Sequence, residues 1–145
     1  MGSTQRVRVL LIEDDKAFSD LVRKVIQGYG YEVLAFPDPT ACPALKEQNG
    51  KCPHEHPCAD ILITDNMMPN MSGLEFLKLQ RERDCKVCNQ NKALMTAGVT
   101  PGQQKTIDGL GCYFLRKPFR LNVLKNWLDE CAQRLPASRR LVNLS

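Results

Sequence analysis

The chain has 145 residues, 43% of them hydrophobic and 25% charged, and a formal net charge of +4. These proportions are typical of one soluble globular domain that is long enough to bury a core without disulfides. No apolar stretch is long enough to span a bilayer or to form a signal peptide, so we expect a cytoplasmic protein with no membrane contact. The basic stretch RLPASRR has no DNA-binding motif beside it, so we expect no direct contact with nucleic acid.

In the first half of the chain, apolar strands alternate with helices. A strand is predicted over residues 6–13, and an amphipathic helix over 16–28 follows it. A second strand covers 31–36, and residues 37–50 contain a short helix that begins at a proline. The run ILIT over 61–64 is apolar enough for a strand buried on both faces, and it ends on Asp65.

The second half repeats this alternation. Helices are predicted over 73–83, 100–111 and 121–135, and strands over 92–98 and 112–117. Strands separated by helices indicate βαβ units and a parallel sheet. We therefore predict an α/β fold of the flavodoxin-like, doubly wound kind, with five strands in the order 2-1-3-4-5 and five helices. The domain would cover residues 6–135, and 136–145 would be a C-terminal tail or the start of a linker.

Polar residues stand where four of the predicted strands end. The first strand ends on Glu13, Asp14 and Asp15, the third on Asp65, the fourth on Thr96 and the two residues after it, and the fifth on Lys117. Because carboxyl ends of neighbouring parallel strands form one crevice, these groups are expected to converge. Crowded carboxylates repel each other unless a cation neutralises them, and Mg²⁺ prefers such oxygen ligands together with phosphate.

This set of residues is suited to phosphoryl transfer. An ionised aspartate is a competent in-line nucleophile, and we assign that role to Asp65. The Lys117 ammonium would pair with the phosphoryl oxygens, and the Thr96 hydroxyl would hydrogen-bond to them. A magnesium-dependent phosphatase of external substrates would need a second aspartate two residues after the nucleophile, and Met67 stands there.

The motifs LLIEDD, DILITDNMMPNMSG, LMTAG and FLRKPF resemble those of the receiver domain of two-component response regulators, the CheY-like family. The resemblance implies that Asp14 binds Mg²⁺ directly, Glu13 largely through water, and Met67 through its backbone carbonyl, beside Asp65. It also implies a cis peptide bond before Pro118. Asp15 leaves the register of the acidic pair open, although alignment from the strand favours Glu13 and Asp14.

The resemblance also implies a signalling switch. A histidine kinase or phosphotransfer protein would donate the phosphoryl group to Asp65, Thr96 would move inward, and Phe114 would follow; plain core packing of Phe114 is the alternative. The face formed by the fourth helix, fifth strand and fifth helix would then regulate a downstream protein or a missing output domain. Such a protein catalyses only its own phosphorylation and dephosphorylation, and it is not a turnover enzyme.

Two cysteine-rich loops lie outside the receiver pattern. CPHEHPC runs from Cys52 to Cys58 before the third strand, and CKVC runs from Cys85 to Cys88 before the fourth. We predict that both loops meet at the pole opposite the acidic crevice and that these four thiols bind a structural Zn²⁺, with His54 or His56 as a substitute for one thiol of the first pair. Free thiols or a reversible disulfide within either pair are the alternatives.

The remaining cysteines lie in apolar surroundings. Cys42, Cys112 and Cys131 are predicted to be small core residues. The cysteine loops also define a competing function, a zinc- or thiol-dependent interaction module whose acidic pocket is vestigial. The complete set of acidic, threonine and lysine residues favours the phosphorylation switch over that module.

Overall fold

The computed structural model describes residues 6–42 and 51–142. Five parallel strands form one sheet in the order β2-β1-β3-β4-β5, which confirms the predicted flavodoxin-like topology. The strands are β1 (Arg8–Ile12), β2 (Glu32–Phe36), β3 (Ile61–Asp65), β4 (Lys92–Thr96) and β5 (Tyr113–Arg116). The α-helices are α1 (Lys16–Gly28), α2 (Gly73–Glu82), α3 (Pro101–Leu110) and α4 (Leu121–Gln133).

The prediction of five helices is not met by the described residues, which contain four α-helices. The helix expected within 37–50 begins as a single 3-10 turn, Pro39–Ala41, whose first turn is capped by the Asp38 side chain. Cys42 then adopts an extended backbone with ψ 119°. Pro43 follows Cys42, and a residue before proline is driven away from helical backbone angles. Residues 43–50 lie outside the described part of the chain.

Helices cover both faces of the sheet, so each strand contributes to two cores. In β1, Val9 and Leu11 pack with Trp127 of α4 and the apolar residues of α1. The alternate residues, Leu10 and Ile12, pack on the other face with residues of α2 and α3. Burial on both faces explains the uninterrupted apolar runs of β1, β3 and β4. None of the helices in the described residues is long and apolar enough to cross a membrane.

The register of the strands aligns their carboxyl ends. Ile12 of β1 is opposite Thr64 of β3, so the residues that follow them, Glu13 and Asp65, leave the sheet side by side. Asp65 is opposite Met95 of β4. Thr96 and Lys117 therefore reach the same edge on the next two strands, and the backbone N–H of Lys117 donates to the Thr96 carbonyl at 2.8 Å.

The opposite edge of the sheet is contacted by the last described residues. Residues 136–142, predicted as a tail or the start of a linker, contact the amino ends of the strands. The Arg139 Nε donates to Asp60 Oδ1 at 2.8 Å, and Asp60 Oδ2 accepts the backbone N–H of Arg8 at 2.9 Å. The Arg8 guanidinium also donates to the Val142 carbonyl at 2.8 Å. The buried Arg8 and Asp60 side chains thus have polar partners at this pole, as burial requires, whereas the buried Lys92 ammonium has no hydrogen-bond partner among the described residues.

Candidate functional site

Three carboxylates meet at the carboxyl edge of the sheet. Glu13, Asp14 and Asp65 each place a carboxylate oxygen within 4.8 Å of the others. Glu13 and Asp65 are buried, with 3% and 5% exposure, whereas Asp14 is open to solvent. The convergence predicted from the strand ends is therefore confirmed for these three residues, and one of them remains accessible from outside.

Lys117 faces this acidic group. The Lys117 ammonium lies 3.1 Å from Asp65 Oδ1 and 3.5 Å from Glu13 Oε1. The same ammonium lies over the Phe18 ring of α1, 4.5 Å from its centroid. The Lys117-Pro118 peptide bond is cis, as predicted. The lysine is therefore held at the pocket by two carboxylates and by an aromatic face that favours cations.

The pocket carries more negative charge than Lys117 can neutralise. Burial, and after it the negative charge of Asp65, raise the pKa of Glu13 from 4.5 to about 7, although Lys117 opposes the rise. Glu13 Oε2 is also buried without a hydrogen-bond partner in the described part of the chain. An unpartnered carboxylate oxygen beside two further carboxylates is the oxygen-donor set that suits Mg²⁺, so the residues fit the metal that the resemblance implies.

Asp15 lies outside this group and has a different role. Its side chain accepts the backbone N–H of Phe18 at 3.1 Å, which makes it the N-cap of α1. An aspartate at this position satisfies a helical N–H that would otherwise have no partner. The acidic pair at the end of β1 is therefore Glu13 and Asp14, in the register that the sequence favoured.

The loop after Asp65 is fixed by two residues that sequence reasoning did not single out. Asn66 Oδ1 accepts the backbone N–H of Leu74 at 3.2 Å and so ties β3 to the first turn of α2. Gly73 packs so closely that a Cβ there would lie 2.0 Å from the Asp65 carbonyl oxygen. The available signal was the sequence itself, an asparagine directly after the strand and a glycine opening the next helix.

Thr96 lies at the same edge, whereas Phe114 is opposite Leu94, two residues further into the sheet. Thr96 is buried, and its hydroxyl donates to the Gly98 carbonyl at 3.4 Å, which is a weak hydrogen bond. Phe114 is half-buried and packs against the core on the α2 and α3 face. The Met67 side chain is 77% exposed. Because its predicted contribution is a backbone carbonyl, the role of Met67 stays a prediction.

The four predicted zinc ligands do not come together. Among residues 6–42 and 51–142, the acidic group above is the only set of three or more metal-binding side chains within 4.8 Å of one another. Cys52, Cys58 and Cys85 pack on the α2 and α3 face. Cys88 is exposed. Cys42 and Cys131 are buried, as predicted, and Cys112 is partly buried.

Comparisons with known proteins agree with this arrangement. The response regulator receiver domain family model matches residues 9–129. The two-component response regulator ARR11 of Arabidopsis thaliana is 28% identical over 120 residues, which are 82% of this chain and 21% of ARR11. The sensor protein EvgS of Escherichia coli is 31% identical over 134 residues, 89% of this chain and 10% of EvgS. This chain therefore corresponds to a small part of each of these two relatives.

Solved structures show the same fold. The chemotaxis protein CheY4 of Vibrio cholerae superposes with a TM-score of 0.68 at 25% identity, covering 88% of this chain and 99% of that one. The receiver domain of a LuxO repressor protein from Vibrio parahaemolyticus gives 0.71 at 21% identity, covering 90% and 92%. With the acidic group, the lysine and the threonine at one sheet edge, this chain belongs to the response regulator receiver domain family.

Proposed function

We propose that this domain is a phosphoacceptor switch in which Asp65 is the phosphorylated residue. The observation that carries the proposal is the position of Asp65, with one oxygen 3.1 Å from the Lys117 ammonium and the carboxylates of Glu13 and Asp14 within 4.8 Å. The proposed donor is the phosphohistidine of a histidine kinase or a phosphotransfer protein. Family membership supports this class of partner.

The proposed transfer is an in-line displacement at phosphorus. A carboxylate oxygen of Asp65 attacks, a P–O bond forms, the P–N bond of the donor breaks, and the imidazole leaves and takes up a proton. Lys117 then holds a phosphoryl oxygen that carries the displaced negative charge. Glu13, Asp14, Asp65 and the Met67 carbonyl would hold Mg²⁺, which when bound stabilises charge on the phosphoryl oxygens. Water later attacks the acyl phosphate, which releases inorganic phosphate and restores the Asp65 carboxylate.

The proposed conformational response begins at Thr96. Its hydroxyl is held by one long hydrogen bond to Gly98, so a phosphoryl oxygen can replace that acceptor at low cost. Movement of Thr96 would leave space into which Phe114 of β5 follows. Phe114 lies beside residues 98–101 at the start of α3, and α3 buries only Ile107. A helix with so few buried contacts is easily displaced, so the proposed output surface is the α3, β5 and α4 face.

The regulated target is a downstream protein or an output domain joined to this one. The competing proposal, an interaction module with a vestigial acidic pocket, gives no reason for a buried Glu13 oxygen that has no hydrogen-bond partner in residues 6–42 and 51–142. A cytoplasmic location, the absence of direct nucleic-acid and membrane contacts, and the absence of turnover catalysis on other molecules remain predictions from the sequence.

Incubation with acetyl phosphate tests the proposal. With Mg²⁺, the intact chain should gain one phosphoryl mass, and Asp65→Asn should gain none. Asp14→Asn should lose the dependence on Mg²⁺ together with most of the phosphorylation rate. Asp15→Asn is the matched control, because asparagine also caps helices well and the residue lies outside the metal group. An unmodified wild type, or equal losses in Asp14→Asn and Asp15→Asn, would refute the proposed site.

A further inference from the structure

A cavity of about 420 Å³ opens at the amino end of the sheet, between three segments of the chain. Its walls come from residues 56–60 before β3, residues 86–91 before β4, and residues 135–140 after α4. The volume falls within the range of small-molecule sites, which is roughly 300–1,000 Å³. None of the residues assigned above to phosphorylation lines this space, which we call the pole cavity.

Hydrogen bonds hold the three walls of the pole cavity together. The buried Asn91 side-chain amide donates to the Asp60 carbonyl at 3.2 Å, which joins the first two walls. The Arg139 Nε donates to Asp60 Oδ1 at 2.8 Å, which joins the first wall to the third. The Val142 N–H donates to the Pro57 carbonyl at 2.9 Å and adds a second link between these two walls. The pole cavity is therefore a built feature of the fold.

The pole cavity has an excess of positive charge. The Lys86 ammonium donates to the Asp84 carbonyl at 3.0 Å, and that oxygen carries no formal charge. Among the described residues, neither Lys86 nor Arg140 forms an ion pair with a carboxylate. The negative charge of Asp60 is already met by its 2.8 Å ion pair with Arg139. Two cationic side chains thus remain to attract an anion into the cavity.

Apolar side chains form another part of the lining. Val87 is buried in the core and reaches the cavity, and Pro57, Leu135 and Pro136 also line it. An inorganic anion would leave this surface in contact with water. An anion with an organic group would cover it, and covered apolar surface stabilises a complex by about 25 cal/mol for each Å². The cavity therefore matches a ligand with a charged end and an apolar body.

We propose that the pole cavity binds a small phosphate monoester, with Lys86 and Arg140 on the phosphate and the apolar lining on the organic group. A phosphate monoester carries about −1.5 to −2 charges at neutral pH, which matches two cations, whereas a carboxylate would match only one. The ligand would contact the turn before β4 and the segment after α4 together, so binding should hold residues 136–142 against the domain. The cavity lies at the opposite end of the sheet from Asp65, so this site is independent of the proposed phosphorylation.

Titration of the full-length chain with phenyl phosphate in EDTA tests this proposal. Amide NMR signals of residues 86–91 and 137–140 should shift saturably, and calorimetry should give one site per chain. Lys86→Gln and Arg140→Gln should each weaken binding about tenfold, the effect of losing one charge-assisted hydrogen bond. Lys24→Gln, which removes an exposed charge from α1, is the matched control and should bind like wild type. Saturating phenyl phosphate should also slow the tryptic cleavage of residues 136–142.

Three results would overturn the assignment. A wild type without saturable shifts in these residues would exclude the site. An equal loss of affinity in Lys24→Gln would show that phenyl phosphate responds only to the net charge of the chain. Inorganic phosphate that binds as tightly as phenyl phosphate would show that the apolar lining does not select an organic group. The titration needs neither Mg²⁺ nor a modified Asp65, so its failure is distinguishable from failure of the proposed function.

Discussion

Glu13→Gln is the substitution that most directly probes the electrostatics of the acidic pocket. Glutamine keeps the shape of the side chain and removes its titration. In the metal-free protein, folding raises the pKa of Glu13 from 4.5 to about 7. Between these values the folded state holds a proton that the unfolded chain has lost. The contribution of Glu13 to stability is therefore greatest below pH 4.5 and is lost as the pH rises towards and through 7.

The size of this effect follows from the two pKa values. A tenfold change in proton affinity corresponds to about 1.4 kcal/mol, so a rise from 4.5 to about 7 costs the wild type up to about 3 kcal/mol of unfolding free energy at neutral pH. Glu13→Gln does not carry this cost. The variant should therefore gain about 3 kcal/mol relative to wild type as the pH is raised from about 4.5 to about 8.

Urea unfolding in the presence of EDTA measures this difference. Trp127 is the only tryptophan and is 3% exposed, so its fluorescence reports unfolding of the core. Glu82→Gln, at an exposed position of α2, is the matched control and should follow the wild type at every pH. Excess Mg²⁺ should reverse the order at neutral pH, because the metal stabilises the ionised carboxylate that the variant lacks. An unfolding free energy difference that stays constant with pH would refute this account of the pocket.

Two further substitutions test how the structure holds its two poles. Gly73→Ala places a Cβ 2.0 Å from the Asp65 carbonyl oxygen and should lower the unfolding free energy in urea by at least about 1–3 kcal/mol. Gly28→Ala is the control and should cost nothing, because no atom lies within 4 Å of its added Cβ. Equal effects of the two substitutions would contradict the close packing at Gly73. Arg139→Gln removes the 2.8 Å ion pair to buried Asp60 and should lower the unfolding free energy by about 2 kcal/mol. It should also speed proteolysis of residues 136–142. An unchanged cleavage rate would show that this ion pair does not hold the tail.

The sequence predicted the sheet well because burial on both faces leaves little choice. β1, β3 and β4 are buried at every position, so their apolar runs could be recognised without knowing their partners. Except for β3, the predicted strands were longer than the observed ones: the first was predicted over 6–13 and is observed over Arg8–Ile12. The helix predicted within 37–50 had a weaker physical basis than the strands, because residues 37–43 include three prolines and each of them lacks a backbone N–H donor.

The contacts around Lys117 could be predicted only in part. Its approach to Asp65 follows from the order of the strands. Asp65 ends β3, Lys117 follows β5, and only β4 lies between these two strands in the sheet. Its contact with the Phe18 ring does not, because that contact depends on how α1 packs across the sheet edge. The capping role of Asp15 had a local signal, an aspartate directly before a helical pattern, which is a common start of a helix.

The acidic group and the thiols differ in what fixes their positions, and this explains why one set was predicted and the other was not. Glu13 follows Ile12, which is paired with Thr64, so the ladder of β1 and β3 places Glu13 beside Asp65. No ladder constrains Cys85 and Cys88. Their C-x-x-C spacing fits a metal knuckle, but Val87 between them is buried on the α2 and α3 face, and a 3-10 turn begins directly after Cys88. Cys85 packs on the same face as Val87, whereas Cys88 is exposed, and side-chain burial of this kind is not visible in ligand spacing alone.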